Sequence, residues 1–291
     1  MRFAPPGIAL AMVAAAVAAF GDATAQSVAD RINLHRKVAG LAPVTVDPAL
    51  NAACEAHAQY LILHDGKVWS RSQDRIDPHD EGKTLAGYSD EGRKAARSSI
   101  IAWVEPVLAI DNHMEGHFHR VPILNPDLQR IGAGIARGGK YGWAVVIDVT
   151  GGVGRAADRP LAVIWPGDGQ QNVPIQYYKE MPDPIPDDPD KVAGNPVTAS
   201  FPLGKKVLGA NATLVEGKEG KGAKPVEFWL STPEKPSDAI FQRNTVCLFP
   251  KDPLKTKTLY TATVEATVDG QPWKKTWSFT TSSERPKTRP H

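Results

Sequence analysis

Three of the chain's eight histidines fall within seven residues: His113, His117 and His119. They lead into the run Gly116-His117-Phe118-His119-Arg120-Val121-Pro122-Ile123-Leu124-Asn125-Pro126. Imidazole changes charge near neutral pH and is the commonest metal-binding side chain, so such a cluster suits proton transfer or a metal ion. A solvated surface turn explains the same pattern, because only Asp111 and Glu115 stand nearby as acids. Local sequence leaves both readings open.

Other routes to catalysis find little to build on. There is no Gly-x-Ser-x-Gly elbow. Cys54 and Cys247 stand in no context that lowers a thiol pKa, fall in different expected domains, and are read as buried and unpaired. Ser98 and Ser99 are read as surface hydroxyls rather than as partners of a base. Gly132-Ala133-Gly134 lies within an expected strand, not between a strand and a helix, so it is not a phosphate cradle.

The elements that must hold these side chains follow from periodicity. Val28, Ile32, His35 and Ala39 recur at helical spacing, and after Asp47-Pro48 the residues Leu50, Ala53, Cys54, His57 and Leu61 share a second helix face. A polar, turn-rich stretch covers 66–88. Ser89 is placed to cap a helix from 90 to about 103, interrupted by Pro106, and another helix is expected over roughly 107–115. Strands are expected at 130–136 and 143–149, joined through Arg137-Gly138-Gly139-Lys140, with a further strand at 161–165. After residue 195 the pattern is strand upon strand, at 197–201, 213–215, 226–230 and 245–249. A hairpin closes the series: Tyr260, Ala262, Val264, Ala266 and Val268 alternate, Asp269-Gly270 turns, and Trp273, Trp277 and Phe279 resume period two. About seven short strands fit a β-sandwich.

Residues 1–25 read as a signal peptide, with Arg2, an apolar run over 8–20, and Ala23-Thr24-Ala25 before Gln26. The product is expected to be secreted or periplasmic. No later stretch offers about eighteen uninterrupted apolar residues, so no transmembrane segment is expected. With 34 basic and 32 acidic residues interleaved and a net charge of +2, neither nucleic acid nor an anionic membrane is implied as a partner. The run Met181-Pro182-Asp183-Pro184-Ile185-Pro186-Asp187-Asp188-Pro189-Asp190 holds neither a helix nor a central strand and reads as a stiff linker. The expected division is a signal peptide over 1–25, a first domain over 26–165, a Pro/Asp-rich linker over 166–194, a β-sandwich over 195–283 and a tail over 284–291.

Asn33-Leu34-His35-Arg36, Gly40-Leu41-Ala42-Pro43-Val44, Asp47-Pro48-Ala49-Leu50 and Ala53 with His57-Ala58 resemble the opening helices of the CAP superfamily. These are the cysteine-rich secretory, antigen 5 and pathogenesis-related proteins. Ala109-Ile110-Asp111, His119-Arg120, Ile123-Leu124-Asn125 and Ile131-Gly132-Ala133-Gly134 resemble its bacterial branch. The resemblance covers roughly 28–165. It implies an α/β/α three-layer sandwich, here followed by an Ig-like β-sandwich and so α+β overall.

It also implies a cleft that in the family often holds two His and two Glu, able in some members to bind a divalent cation. Carried over residue by residue, His119 matches the second His, and His79, in Pro78-His79-Asp80-Glu81, the first, with His64 as a substitute. The family's Gly-Glu-Asn segment falls near Arg97-Ser98-Ser99, where no carboxylate stands, so Glu81 is read as its replacement and Glu105 as a weaker second acid. The Trp usual ahead of His-Arg stands here as His113. The cleft candidates are therefore His79, Glu81 and His119. The metal candidates are His79 and His119, for zinc or another divalent cation with water in an open position. Alternatively the two rings brace the cleft loops by hydrogen bonds. His117 is expected to be exposed, His57 packed in its helix and His35 at the surface. No catalytic residue is assigned. The function implied is binding of a ligand or protein partner through the cleft, with the sandwich as a spacer or adhesion module. The alternative is a metal-dependent hydrolase acting on extracellular or envelope material.

Overall fold

A computed structural model of the chain describes residues 24–68, 70, 75–177, 180–185 and 192–283. The expected signal peptide up to residue 23, the tail over 284–291 and positions 186–191 of the proline-rich run lie outside the described residues.

Local sequence sets the helices. α1 (Ala25–Val38) opens on a capping box in which Thr24 and Ser27 exchange side-chain and backbone hydrogen bonds. After β1 (Thr45–Val46) comes α2 (Pro48–Leu63), whose N-cap Asp47 accepts from the N–H groups of Ala49 and Leu50. Pro48 sits in its first turn, where a missing N–H costs nothing. Ser89 caps α3 (Asp90–Ser98) by accepting from the Gly92 N–H. The helix expected to reach Trp103 stops at Ser98. Ser99–Ala102 form β2 instead, and their β-branched Ile100 and Ile101 enter the cores on opposite sheet faces. α4 (Pro106–Glu115), the short α5 (Arg120–Ile123), β3 (Arg130–Gly138) and β4 (Gly142–Asp148) complete the first domain.

Its sheet runs β1-β3-β4-β2, with β1 parallel to β3 and the other pairs antiparallel. Both faces are covered, as the three-layer expectation requires. Ile131, Ala133, Val145 and Ile147 pack with Val28 and Ile32 of α1 and with Ile110 and Met114 of α4. Ala136, Ala144 and Val146 pack with Cys54, Ala58 and Leu61 of α2 and with Ala95 of α3. The glycines of β3 make this approach possible. A Cβ on Gly132 would lie 2.4 Å from the Leu50 backbone, and one on Gly134 would lie 2.0 Å from that of Cys54. Gly132-Ala133-Gly134 is therefore the floor on which α2 rests.

Two polar side chains of α1 fasten the loops that lead to the site. Fully buried Arg36 donates to the carbonyls of Ala42 (2.8 Å), Ile123 (2.8 Å), Asn125 (2.9 Å) and Leu128 (3.0 Å). Burial lowers its pKa to about 10. Asn33 holds the N–H and C=O of Val44 at 2.7 and 2.9 Å. Asn33 thus ties α1 to Val44, and Arg36 ties it to the Ile123-Leu124-Asn125 segment.

Beyond the first domain lie β5 (Val163–Trp165), β6 (Val197–Ser200), β7 (Val207–Glu216), β8 (Lys224–Pro225), β9 (Phe228–Ser231), β10 (Thr245–Pro250), β11 (Leu259–Val268) and β12 (Gln271–Thr280). They form two four-stranded antiparallel sheets, β5-β6-β10-β9 and β12-β11-β7-β8. Val197, Ala199, Val246 and Leu248 of one meet Leu214, Ala262, Val264, Trp277 and Phe279 of the other in one core. Asp269 and Gly270 take φ of 50° and 80°, the tight turn expected of Asp-Gly between β11 and β12.

Around residue 165 the chain serves both cores. The backbone of β5 pairs with β6 of the second sheet, while Val163 and Trp165 pack in the first domain's core. Within the expected linker, Val173 and Ile175 join the second core, and Tyr177 and Ile185 pack with Ala193, Cys247 and Phe249. Val173, Ile175, Tyr177 and Ile185 of the expected stiff linker are thus packed. Both cysteines are unpaired and buried, and burial pushes the Cys54 thiol up to about 12.

Candidate functional site

The run that carries the histidines is folded around an acid from the expected linker. Glu180 accepts from the backbone N–H groups of His117 (2.5 Å), Phe118 (2.9 and 3.0 Å) and His119 (3.2 Å). The same carboxylate takes the His119 ring at Nδ1, 2.7 Å away. Gly116 leaves the room: a Cβ there would lie 2.7 Å from Glu180 Oε2. Burial would raise the Glu180 pKa, but the His119 hydrogen bond, the His119 and His117 rings and the Phe118 N–H outweigh it and hold the group below the ordinary carboxylate range.

Beneath this cradle the two domains are in contact. Buried Arg120 donates to the carbonyls of Met114 (3.0 Å) and, in the second domain, Pro196 (3.1 Å), and burial lowers its pKa to about 10. His117, expected at the surface, is fully buried. Its ring packs 5.0 Å from that of Phe118 and, edge-on, 5.4 Å from that of Phe249 in β10. Neither of its ring nitrogens has a hydrogen-bond partner among the described residues, and burial lowers its pKa to about 3. Period alone assigned His117 to solvent; the second domain, invisible to that argument, covers it.

His119 keeps 24% of its side chain exposed, and its ring stacks on that of buried His113 at 4.7 Å and 19°. His113 Nε2 is buried without a partner among the described residues. His79 joins them from the loop before α3, where its Nδ1 lies 3.1 Å from the Ala96 carbonyl, one of the acceptors left open in that helix's last turn. Burial of the ring lowers the His79 pKa, and the His119 and His57 rings push in the same direction.

Glu81 does not join this group. It is buried, with Oε1 on His57 Nδ1 at 2.9 Å and Oε2 accepting from the Ser89 N–H at 2.9 Å. His57 Nε2 meets the Pro78 carbonyl at 2.8 Å, so the pair pins the 78–89 loop to α2. Glu105 is the N-cap of α4, accepting from the Leu108 N–H at 2.9 Å. His64 meets the Ala86 carbonyl at 2.8 Å, and Ser98 donates to Asp148 at 2.7 Å. His35 is half-buried between Asp111 (3.0 Å) and the Trp165 ring (5.8 Å). A cavity of about 510 Å³ opens elsewhere, beside β9, and none of the site histidines lines it.

Residues 29–148, which carry α1 to β4, match the model of the family described as cysteine-rich secretory proteins, CAP. The first domain is a CAP domain. The chain matches no curated protein. Because the CAP match ends at residue 148, the acid that reaches His119 comes from outside the CAP region. A divalent cation, which the resemblance implies, finds no fitting donor set. Glu81 commits both oxygens elsewhere, His113 lies face to face with His119, and among the described residues no three His, Cys, Asp or Glu side chains are placed to share a metal ion. His79 and His119 remain as rings that reach the surface of the CAP domain. Glu180 escaped sequence reasoning because nothing around it signals a site: it is one acid at the head of a proline-rich run.

Proposed function

We propose that this chain is an exported CAP-domain protein that binds a ligand or partner at the surface carrying His79 and His119. The second domain, read as an Ig-like sandwich, serves as a spacer or adhesion module held against that surface. The observation that carries the reading is the Glu180–His119 contact. A buried carboxylate fixes one nitrogen of the ring and leaves the other uncommitted on a side chain that solvent still reaches. An oriented, partly exposed imidazole suits recognition. Export rests on the apolar N-terminal run read as a signal peptide. The hydrolase alternative draws no support from the donor arrangement.

A ligand-observed NMR fragment screen of the full chain tests this reading, with His119→Gln as the counter-screen. Hits lost in the variant support it. A hit set indifferent to His119, in a variant that unfolds at the same urea concentration as the parent, overturns it.

A further inference from the structure

We propose that the outer edge of β9 takes up an extended acidic peptide, which adds a strand to the sheet β5-β6-β10-β9. The inference goes beyond the His119 reading and does not rest on it.

Register and one hydrogen bond show which backbone groups of β9 face outward. β9 has a single neighbouring strand, β10, with Trp229 opposite Phe249 and Ser231 opposite Cys247. Just before the strand, the Lys251 N–H donates to the Glu227 carbonyl at 2.9 Å, which makes Glu227 and Lys251 a hydrogen-bonded pair. Antiparallel pairs alternate, so Trp229 and Ser231 turn their N–H and C=O toward β10, and Phe228 and Leu230 turn theirs outward. Two details agree. Phe228 lies opposite Pro250, which has no N–H to give. Thr232, next in the outward series, exchanges both backbone hydrogen bonds with Lys235, at 3.2 and 3.0 Å, and Pro236 follows. A new strand thus starts on the outer edge and breaks off after one pair. Leu230 and Phe228 stand next in line, without a backbone partner on that side among the described residues.

Other edges are protected. β12 is bonded by the 169–173 segment, where Gly169 donates to the Ser278 carbonyl at 2.8 Å, Thr280 to that of Gln170 at 2.8 Å and Val173 to that of Thr280 at 3.1 Å. β8 is two residues long and contains Pro225. β9 instead borders the cavity of about 510 Å³, lined by its own residues from Phe228 to Ser231, with Ile185 and Phe249 among the apolar walls.

Charge narrows the occupant. A lysine stands at each end of the strand, Lys251 opposite Glu227 and Lys235 opposite Thr232, and both line the cavity. The Lys235 ammonium has no carboxylate partner among the described residues, and Lys251 meets the exposed Glu227 carboxylate at 3.1 Å. Asp183, the acid on the wall, accepts from the Ile185 N–H at 3.0 Å. An extended chain fits this set. Its backbone supplies the missing pairs at Phe228 and Leu230, alternate side chains enter the apolar cavity, and flanking carboxylates meet the lysines. A helix, bonded internally, has no backbone groups to offer.

Residue-resolved amide hydrogen exchange of the full chain tests this. In the free chain, the amides of Phe228 and Leu230 are expected to exchange fast and those of Trp229 and Ser231 slowly. The blocked peptide acetyl-Asp-Val-Thr-Val-Asp-amide is expected to slow Phe228 and Leu230 saturably. N-methylation of its three central amides, or Lys in place of both Asp, is expected to weaken binding at least about tenfold. Leu230→Pro removes an outward N–H and none from the β10 ladder, so it is expected to weaken binding as much while keeping the urea midpoint. Lys235→Glu is expected to weaken it about fivefold at low salt and less at high salt. Slow exchange of Phe228 and Leu230 in the free chain, no slowing with the peptide, or equal protection by the N-methylated or the Lys peptide overturns the proposal. So does protection that appears on concentrating the chain alone, which gives the edge to a second copy. If Leu230→Pro unfolds, the N-methylated peptide and Lys235→Glu decide.

Discussion

Replacing His117 by phenylalanine should flatten the acid side of the stability curve. The ring is fully buried between Phe118 and Phe249, and burial takes its pKa from the usual 6.5 to about 3. In the folded chain it stays neutral, whereas the unfolded chain protonates it as pH drops below 6.5. The unfolded state then binds more protons, so stability is complete above 6.5 and is lost progressively down to about pH 3. At ~1.4 kcal/mol per pH unit, the loss from this ring reaches about 2 kcal/mol at about pH 5. His113, held well below its usual value by burial and by the His119 and His79 rings, steepens the slope in both proteins alike. Carboxylates with lowered pKa, such as Glu180, lose their contribution as pH falls through their folded values, and they too are common to both. Phenylalanine cannot titrate and can keep the edge-on contact with Phe249. Its extra bulk costs ~1–3 kcal/mol if the site cannot relax, but that cost is independent of pH. Urea unfolding of parent and variant from about pH 7 to about pH 5 measures the gap between them, which should move in the variant's favour by about 2 kcal/mol. A gap that stays constant with pH refutes the burial of His117 under the second domain.

Glu81→Ala breaks the fully buried pair with His57 and should cost about 3–5 kcal/mol in urea unfolding while His119-dependent fragment hits persist; loss of the hits at unchanged stability would return Glu81 to the binding site. Gly134→Ala drives a Cβ into the Cys54 backbone and should cost about 3 kcal/mol or more, seen as a lowered urea midpoint, with a neutral result contradicting the close approach of α2 to β3. Arg36→Met leaves the buried carbonyls of Ile123 and Leu128 without their donor, at ~1–3 kcal/mol each before relaxation, and frees the part-buried carbonyls of Ala42 and Asn125 as well. Its thermal midpoint should fall sharply, and a stability loss under about 1 kcal/mol would show that the guanidinium does not hold the 123–128 loop.

Where the chain announces its own local structure, sequence reading and structure agree. Asp47-Pro48 and Ser89 open the helices they were expected to open, and Asp269-Gly270 turns the last hairpin. These signals are short-range, so one segment contains both the cause and the effect. Ser99–Ala102 were read as helix because the cap at Ser89 says where a helix begins, not where a neighbouring strand will claim its end. At the site, His79 and His119 were legible as rings near one another, since their motifs sit in the CAP region. The position of Glu81 in Pro78-His79-Asp80-Glu81 does not reveal that α2 presents His57 to it. Glu180 and the burial of His117 depend on how a second domain packs, and no periodicity within the first encodes that.

β5 belongs to one domain by its hydrogen bonds and to the other by its side chains. Composition suggests two beads on a string at this point, but the chain cannot bend there without breaking a strand pairing or uncovering Val163 and Trp165. Mechanical load applied to the second domain therefore has a short route into the first, through β5 at one place and through Arg120 and Glu180 at another. A pull on the sandwich arrives at the loop that orients His119, so anything that strains the outer domain is felt by the ring that faces solvent.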